Sequence, residues 1–310
     1  AIIDAQGNVL DYGAYYLTNS EKLKQEAQKK LAEKIRKFNV TLLSIGNGTA
    51  SYETEQFASK MIEEEKLDCH YIITNEAGAS VYSASKLAID ELPDLDVTIR
   101  GAVSIARRVQ DPLAESVKID PKSIGVGQYQ HDVNQKQLTH TLDQVVESVV
   151  NHVGVELNTA SPAILQHIAG ISGTVAKNIV AFRQENGGFT SRKQLLKVPR
   201  LGPAAFTQCA GFLRLNGAKN PLDNTSVHPE SYELSERIIG ELGFTLKDLQ
   251  DKSQLEALQI KLPLVDVDKM AHKLDAGVPT VRDIIAALAK PGRDPREDLP
   301  APLTRKHVVS

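Results

Sequence analysis

The 310 residues are 41% hydrophobic and 24% charged with a net charge of -3, a composition that fits two or three folded domains and excludes a disordered chain. No apolar run approaches the roughly 20 residues needed to cross a bilayer, and the N-terminus lacks the basic-then-apolar pattern of a secretory leader, so no membrane partner is expected. The only cysteines, Cys69 and Cys209, cannot build a disulfide framework or a thiolate zinc site, and a reducing, cytoplasmic location is expected.

The first 16 residues alternate like a hairpin, with "AIID" and "VLDYGAYYL" flanking the turn "AQGN". Thr18 and Glu21 have the spacing of a capping box, ahead of a helix with the apolar stripe Leu23, Ala27, Leu31, Ile35 and Phe38. The strand "VTLLSI" then runs into a turn with Gly46 and Gly48, a helix carrying Phe57, Met61 and Ile62, and the strand "CHYIIT". Strands alternating with helices predict an α/β sheet over residues 1–132, ending in the loop "GVGQYQHD". Beyond Asn134 no strand is evident. A long helix bearing Leu138, Leu142, Val145, Val149 and Val153 opens an all-α part, and Asp111-Pro112, Asp120-Pro121 and Ser161-Pro162 each read as a cap followed by proline at the first helical position. Further helices span 218–290, and residues 291–310 are a proline-rich linker.

Charge is unevenly spread. From Val155 to Gly217 there are seven basic residues (Lys177, Arg183, Arg192, Lys193, Lys197, Arg200, Arg214) against Glu156 and Glu185, an excess of +5 that leaves -8 for the remainder. A basic segment in an acidic chain points to a polyanion partner. The same segment contains a repeat: "LQHIAGISGTVAKNIV" (165–180) and "LLKVPRLGPAAFTQCA" (195–210) each read as helix, tight glycine-bearing turn, helix.

The repeat resembles the double helix-hairpin-helix module, including the strings "NTAS" at Asn158–Ser161 and "NGGF" at Asn186–Phe189. That resemblance implies a surface where amide N–H groups at a helix start, helped by the helix dipole, hold nucleic-acid phosphates without reading bases. The positions implied are Gly170, Ser172 and Gly173 in the first hairpin and Gly202 in the second, with Lys177, Lys193 and Arg200 adding side-chain contacts. Ser172 and Arg200 stand where the module usually has glycine.

The Gly46–Gly48 turn lacks the lysine of a phosphate-gripping P-loop, and Glu53 and Glu55 in the following helix would repel phosphate. The α/β part resembles the YqgF domain, a relative of RNase H and the Holliday-junction resolvases. By that resemblance Glu76 matches an acid beyond the fourth strand and Asp111 a last acid of a two-metal nuclease site, with Mg or Mn as cofactor only if nuclease chemistry holds and no cofactor otherwise. Asp111 ahead of Pro112 also reads as a helix cap, and His131 and Asp132 as neighbours of the cleft or fixers of their loop.

The strings "IGNGTASYETE", "TNEAGASVYSASKLA", "RGAVSIARRVQDPLAE", "IDPKSIGVGQYQHDV" and "NPLDNTSVHPESY" resemble, in order, the Tex family of bacterial transcription accessory proteins. The resemblance implies an α/β RNase H-like (YqgF) domain over 1–132 whose first strand is absent, a long helix with tandem helix-hairpin-helix over 133–217, and a further helical domain over 218–290. The chain is then a central fragment, without the family's terminal RNA-binding domain. The function implied is a nucleic-acid-binding (RNA or DNA) scaffold in transcription, with a metal-dependent nuclease and a protein adaptor of the transcription machinery as the alternatives.

Overall fold

The computed structural model describes residues 1–17 and 20–290, so Thr18 and the proline-rich stretch 291–310 lie outside the described residues. The chain divides into one unit over Ala1–Gln135 and a second beginning at Lys136.

In the first unit β1 (Ile2–Ile3) and β2 (Val9–Asp11) form an antiparallel hairpin. Its turn is fixed by one carboxylate: Asp4 Oδ1 accepts from the Gln6 and Asn8 amides, each at 2.9 Å, while Gly7 takes φ +82°. Ser20 caps α1 (Glu21–Lys37), its hydroxyl accepting from the Leu23 amide, so a residue nearer the helix does the work expected of Thr18. Leu23, read as part of the apolar stripe, is exposed; the buried face is Ala27, Gln28, Ala32 and Ile35. Next come β3 (Leu42–Gly46), α2 (Ser51–Glu64) and β4 (His70–Thr74), a parallel pair joined by a helical crossover, with Ser44 opposite Ile72. Met61 and Tyr71, both wholly buried, anchor its core with Ile35, Ile45 and Ile62. Burial at this depth stabilises by about 1.5–3 kcal/mol per large apolar side chain.

Short helices α3 (Ala79–Ser83) and α4 (Lys86–Glu91) lead to α5 (Val97–Gln110), capped by Asp96; α6 (Pro112–Ser116) and α7 (Pro121–Ile124) follow, with Asp111 and Asp120 capping as their Asp-Pro pairs predict. The predicted single sheet is, among the described residues, two separate two-stranded sheets. Between them lies a cavity of about 1000 Å³, lined by Ile2, Ile3 and Leu10 on one side and Leu42, Leu43 and Ile45 on the other.

The second unit opens on α8 (Gln135–Val153). Its buried residue is Val150, one position round from the predicted stripe, whereas Val145 and Val149 are 52% and 42% exposed. After β5 (Val155–Glu156) come α9 (Pro162–Leu165), α10 (Gly173–Glu185), α11 (Pro203–Cys209) and β6 (Leu213–Arg214). β5 and β6 pair in parallel, Val155 opposite Leu213, and the Leu157 amide extends the pairing to the Arg214 carbonyl at 2.9 Å. The expectation of no strand here is therefore corrected; two-residue strands are too short to show a period of two. Their pairing ties the two ends of the tandem hairpins together. Ser161 has the extended backbone of a cap, but its hydroxyl makes no capping bond.

The last region packs α12 (Tyr232–Glu241), α13 (Lys252–Lys261), α14 (Val267–Lys273) and α15 (Val278–Ala289) around Ile238, Ile239, Leu258, Leu262, Val281 and Ile284.

Candidate functional site

The two hairpin turns share one backbone design. In the first, the Ile171 amide bonds the Ile168 carbonyl at 3.1 Å; in the second, the Leu201 amide bonds the Val198 carbonyl at 3.2 Å. All four side chains are buried, which pins each turn from beneath. Gly170 and Arg200 hold the same left-handed position, at φ +83° and +65°. Ser172 and Gly202 hold the same N-cap position, at φ -80°, ψ 169° and φ -84°, ψ 178°. Arginine at 200 therefore keeps the shape that glycine gives at 170, at a conformational cost of about 1–2 kcal/mol.

Each turn leans on the other hairpin. A Cβ at Gly170 would stand 2.9 Å from Gln208 Cβ and 3.2 Å from the Ala205 carbonyl oxygen, so glycine is required by close approach to α11 as well as by φ. In return, Asn178 on α10 donates to the Pro199 carbonyl at 2.8 Å. The linker strings have a matching role: Asn158 Oδ1 accepts from the Phe189 amide at 2.7 Å and its Nδ2 donates to the Phe189 carbonyl at 3.1 Å. Gly187 and Gly188, at φ +69° and +114°, end α10 and bring Phe189 round to stack on Phe182, with ring centroids 5.1 Å apart. Gln194 and Ser191 complete a capping box.

Ser172 Oγ accepts from the Val175 amide at 3.2 Å, while no hydrogen bond within the described residues occupies the amides of Ser172, Gly173 and Thr174 at the start of α10. Ser172 and Thr174 are exposed, and Gly173 is half-buried. In the second turn nothing lies within 4 Å of a Cβ placed on Gly202. Lys177, Lys193, Lys197 and Arg200 are exposed and make no ion pair with any described residue.

The charge count of this segment needs correcting, because three of its seven cations face inward. Arg183 donates to the Leu157 and Ala160 carbonyls at 2.9 and 2.5 Å. Arg214 is 6% exposed and bonds the Gly211 carbonyl. Arg192 is wholly buried and donates to the carbonyls of Leu213 (2.7 Å), Val227 (2.8 Å), Leu222 (3.2 Å) and Thr225, and to the Tyr232 hydroxyl (2.8 Å), which in turn donates to Asp223. Composition cannot distinguish an arginine that closes carbonyl ends from one that meets solvent. Burial also pushes the Cys209 thiol up to about 11, which keeps it protonated and weakly nucleophilic.

In the first unit the Gly46–Gly48 turn is filled from within. A Cβ on either glycine would collide with the Glu76 carboxylate, so the absence of side chains there makes room for that group. Asn47 Oδ1 accepts from the Glu76 amide at 3.1 Å, and the Asn47 amide bonds the Thr74 carbonyl at 3.0 Å. Arg108 lies within the electrostatic reach of Glu76 and Glu115: burial pulls its guanidinium below its ordinary range, and the two carboxylates oppose that shift. Asp111 is 4% exposed and its Oδ1 accepts from the Ala114 amide at 3.1 Å, the capping role. Among the described residues no group of three or more His, Cys, Asp or Glu side chains could hold a metal ion. Glu76, set against the Gly46–Gly48 turn, and Asp111, capping α6, therefore do not by themselves make up the carboxylate cluster that a two-metal centre needs. His131 and Asp132 are exposed on a short 3-10 turn, and the loop is fixed by Gln130, which accepts from the Val126 amide and donates to the Lys122 carbonyl.

One turn escaped the sequence reading. Between α14 and α15, Asp275 is left-handed at φ +52°, Ala276 follows, and Gly277 is the N-cap of a helix with proline in its first turn. That is the order of Arg200, Leu201 and Gly202, and "DAGVP" beside "RLGP" was the available signal. No described helix is long and apolar enough to cross a membrane.

Three family models match the chain: "Tex protein YqgF-like domain" over residues 1–110, "Helix-hairpin-helix motif" over 150–214 and "HHH domain" over 220–296. Protein YhgF of Escherichia coli is 54% identical over 96% of this chain and 38% of its own length. Transcriptional accessory protein Tex of Neisseria gonorrhoeae is 51% identical over 96% of this chain and 38% of its own. S1 RNA-binding domain-containing protein 1 of Homo sapiens is 39% identical over the whole chain and 36% of its own length. The chain spans about 38% of the length of these bacterial relatives.

Proposed function

From the premise that this chain belongs to the Tex family, with a YqgF-like domain followed by helix-hairpin-helix domains, we propose that it binds nucleic acid through its tandem hairpins. The observation that carries this is the pair of matched turns, one opening α10 with amides that no described residue bonds, beside Lys177, Lys193 and Arg200, which make no ion pair with any described carboxylate. Gly170, Ser172 and Gly173 shape the first phosphate contact; Arg200 and Gly202 shape the second, where a guanidinium side chain supplements the backbone. Amides and the helix dipole recognise phosphate oxygens and are indifferent to the base, so affinity depends on charge and hardly on sequence. A role as a transcription accessory scaffold follows the name of the gonococcal relative, and a cytoplasmic location fits two buried thiols.

The test is a charge reversal. Lys177→Glu, Lys193→Glu and Arg200→Glu together are expected to weaken binding of a single-stranded oligonucleotide about 100-fold at low salt, equally for unrelated base sequences. All three side chains are exposed, so circular dichroism and melting should match the parent. Unchanged affinity in the triple variant contradicts the proposal and leaves the hairpins as a protein-docking adaptor.

A further inference from the structure

The longest described helix, α8, has 19 residues and a length of about 28 Å, yet Val150 is its one buried residue. Val150 lies near the C-terminal end, where Asn151 also donates to the His167 carbonyl at 2.9 Å. A helix of this length with no packed face is marginal in water. Its apolar residues form a seam: Leu138, Leu142, Val145 and Val149 follow at spacings of four, three and four, the 3.5-residue period of a coiled coil. Val145 and Val149 are 52% and 42% exposed, and Leu138 and Leu142 are half-buried. The seam falls between the residues matched by the first two family models, 1–110 and 150–214.

The make-up of the seam fits it to a second copy of itself. Lys136, His140, Asp143 and Glu147 all lie on the opposite face of the helix, and the residues flanking the seam are Thr139, Thr141, Val146 and Ser148. With no charge at the flanks, nothing repels an identical helix and nothing selects a charged partner. The two larger residues come first and the two smaller ones last. An antiparallel copy therefore sets Leu138 against Val149 and Leu142 against Val145, a large side chain always facing a small one, whereas a parallel copy would stack leucine on leucine and valine on valine. Gln135 and His152, at the next positions on either side, then meet each other and end the seam. Antiparallel pairing also sets the two helix dipoles head to tail. We propose that α8 is a self-association helix, two copies pairing antiparallel about a two-fold axis through Leu138, Leu142, Val145 and Val149. The seam is only about 17 Å long, which puts the interface at the small end of the range, with a dissociation constant on the order of 10–100 µM. The pairing does not rest on nucleic-acid binding at the hairpins, which uses other residues.

The test is sedimentation of the full chain across a concentration series, joined to disulfide trapping. The mass should rise with concentration from one chain to two and no further. Val145→Lys, at an exposed position where folding is not at stake, should weaken the dimer at least tenfold with unchanged circular dichroism. Ile260→Lys, at a position 71% exposed on α13, and the Lys177, Lys193, Arg200 charge reversal should leave it unchanged. For the orientation, Leu142→Cys and Val145→Cys are made separately and oxidised alone and mixed; the native Cys69 and Cys209 are buried. The mixture should give a cross-linked dimer of the two variants, and neither variant alone should link to itself. A single-chain mass at every concentration overturns the proposal and leaves the seam to a helix of another protein or of the relatives' remaining length. A dimer untouched by Val145→Lys, one weakened equally by Ile260→Lys, or self-linking of each cysteine variant without linking in the mixture overturns it as well.

Discussion

Two regions of this molecule place glycines at a turn before a helix, and they use them for opposite ends. At Gly46 and Gly48 the space in front of the backbone is filled by the chain's own Glu76 carboxylate, with Arg108 nearby. At the helix starts of the hairpins the backbone is open instead: Ser172 is exposed, nothing lies within 4 Å of a Cβ placed on Gly202, and Lys177 and Arg200 are exposed cations of the same segments. An internal anion fills one turn; at the other the amides are open and the lysines make no ion pair with any described residue, which is what the proposed phosphate contact needs. Glycine spacing alone does not separate these cases, because what decides is the group that stands opposite.

The sharpest way to break this contrast is to show that the basic segment is uniformly exposed. Arg192→Met should then be harmless. With Arg192 buried against four carbonyls, Tyr232 and the Asp223 network, the expected loss is instead about 3–5 kcal/mol, read as a lowered urea midpoint with an unchanged slope. Gly170→Ala comes next, at about 2–4 kcal/mol, since the new methyl meets Gln208 and Ala205 while the backbone must stay left-handed. Arg200→Gly tests the partner position: relief of its φ of +65° should keep stability within about 1 kcal/mol of the parent while oligonucleotide affinity falls, separating shape from charge. Gly48→Ala should cost about 1 kcal/mol or less, because the displaced Glu76 carboxylate is the free end of a flexible side chain. The smallest effect is expected at Gly202→Ala, within about 0.5 kcal/mol, where φ is -84° and nothing lies within 4 Å; thermal melting of the last two variants side by side checks the order.

Much of the fold was legible because its signals are local. Asp-Pro pairs marked the starts of α6 and α7, the β3–α2–β4 unit showed its change of hydrophobic period, and "NTAS" and "NGGF" marked the seam where Asn158 holds Phe189. What stayed hidden depends on contacts distant in sequence. Nothing near Arg183, Arg192 or Arg214 announces that each will meet buried carbonyls 3 to 35 positions away. The β5–β6 pair joins residues 58 apart through two-residue strands, and the Glu76 carboxylate reaches a turn 28 residues earlier. Asp275 concealed a third hairpin-like turn, since aspartate stands where glycine is sought.

The claim that matters most is that phosphates meet exposed cations and amides at the tandem hairpins. Its most direct measurement is the salt dependence of binding to length-matched single-stranded RNA, single-stranded DNA and duplex. With about four phosphates neutralised, the logarithm of affinity should fall against the logarithm of salt with a slope of roughly -3 to -4, and the slope should flatten in the Lys177, Lys193, Arg200 triple variant. A slope near zero, or one that the triple variant leaves unchanged, would contradict it.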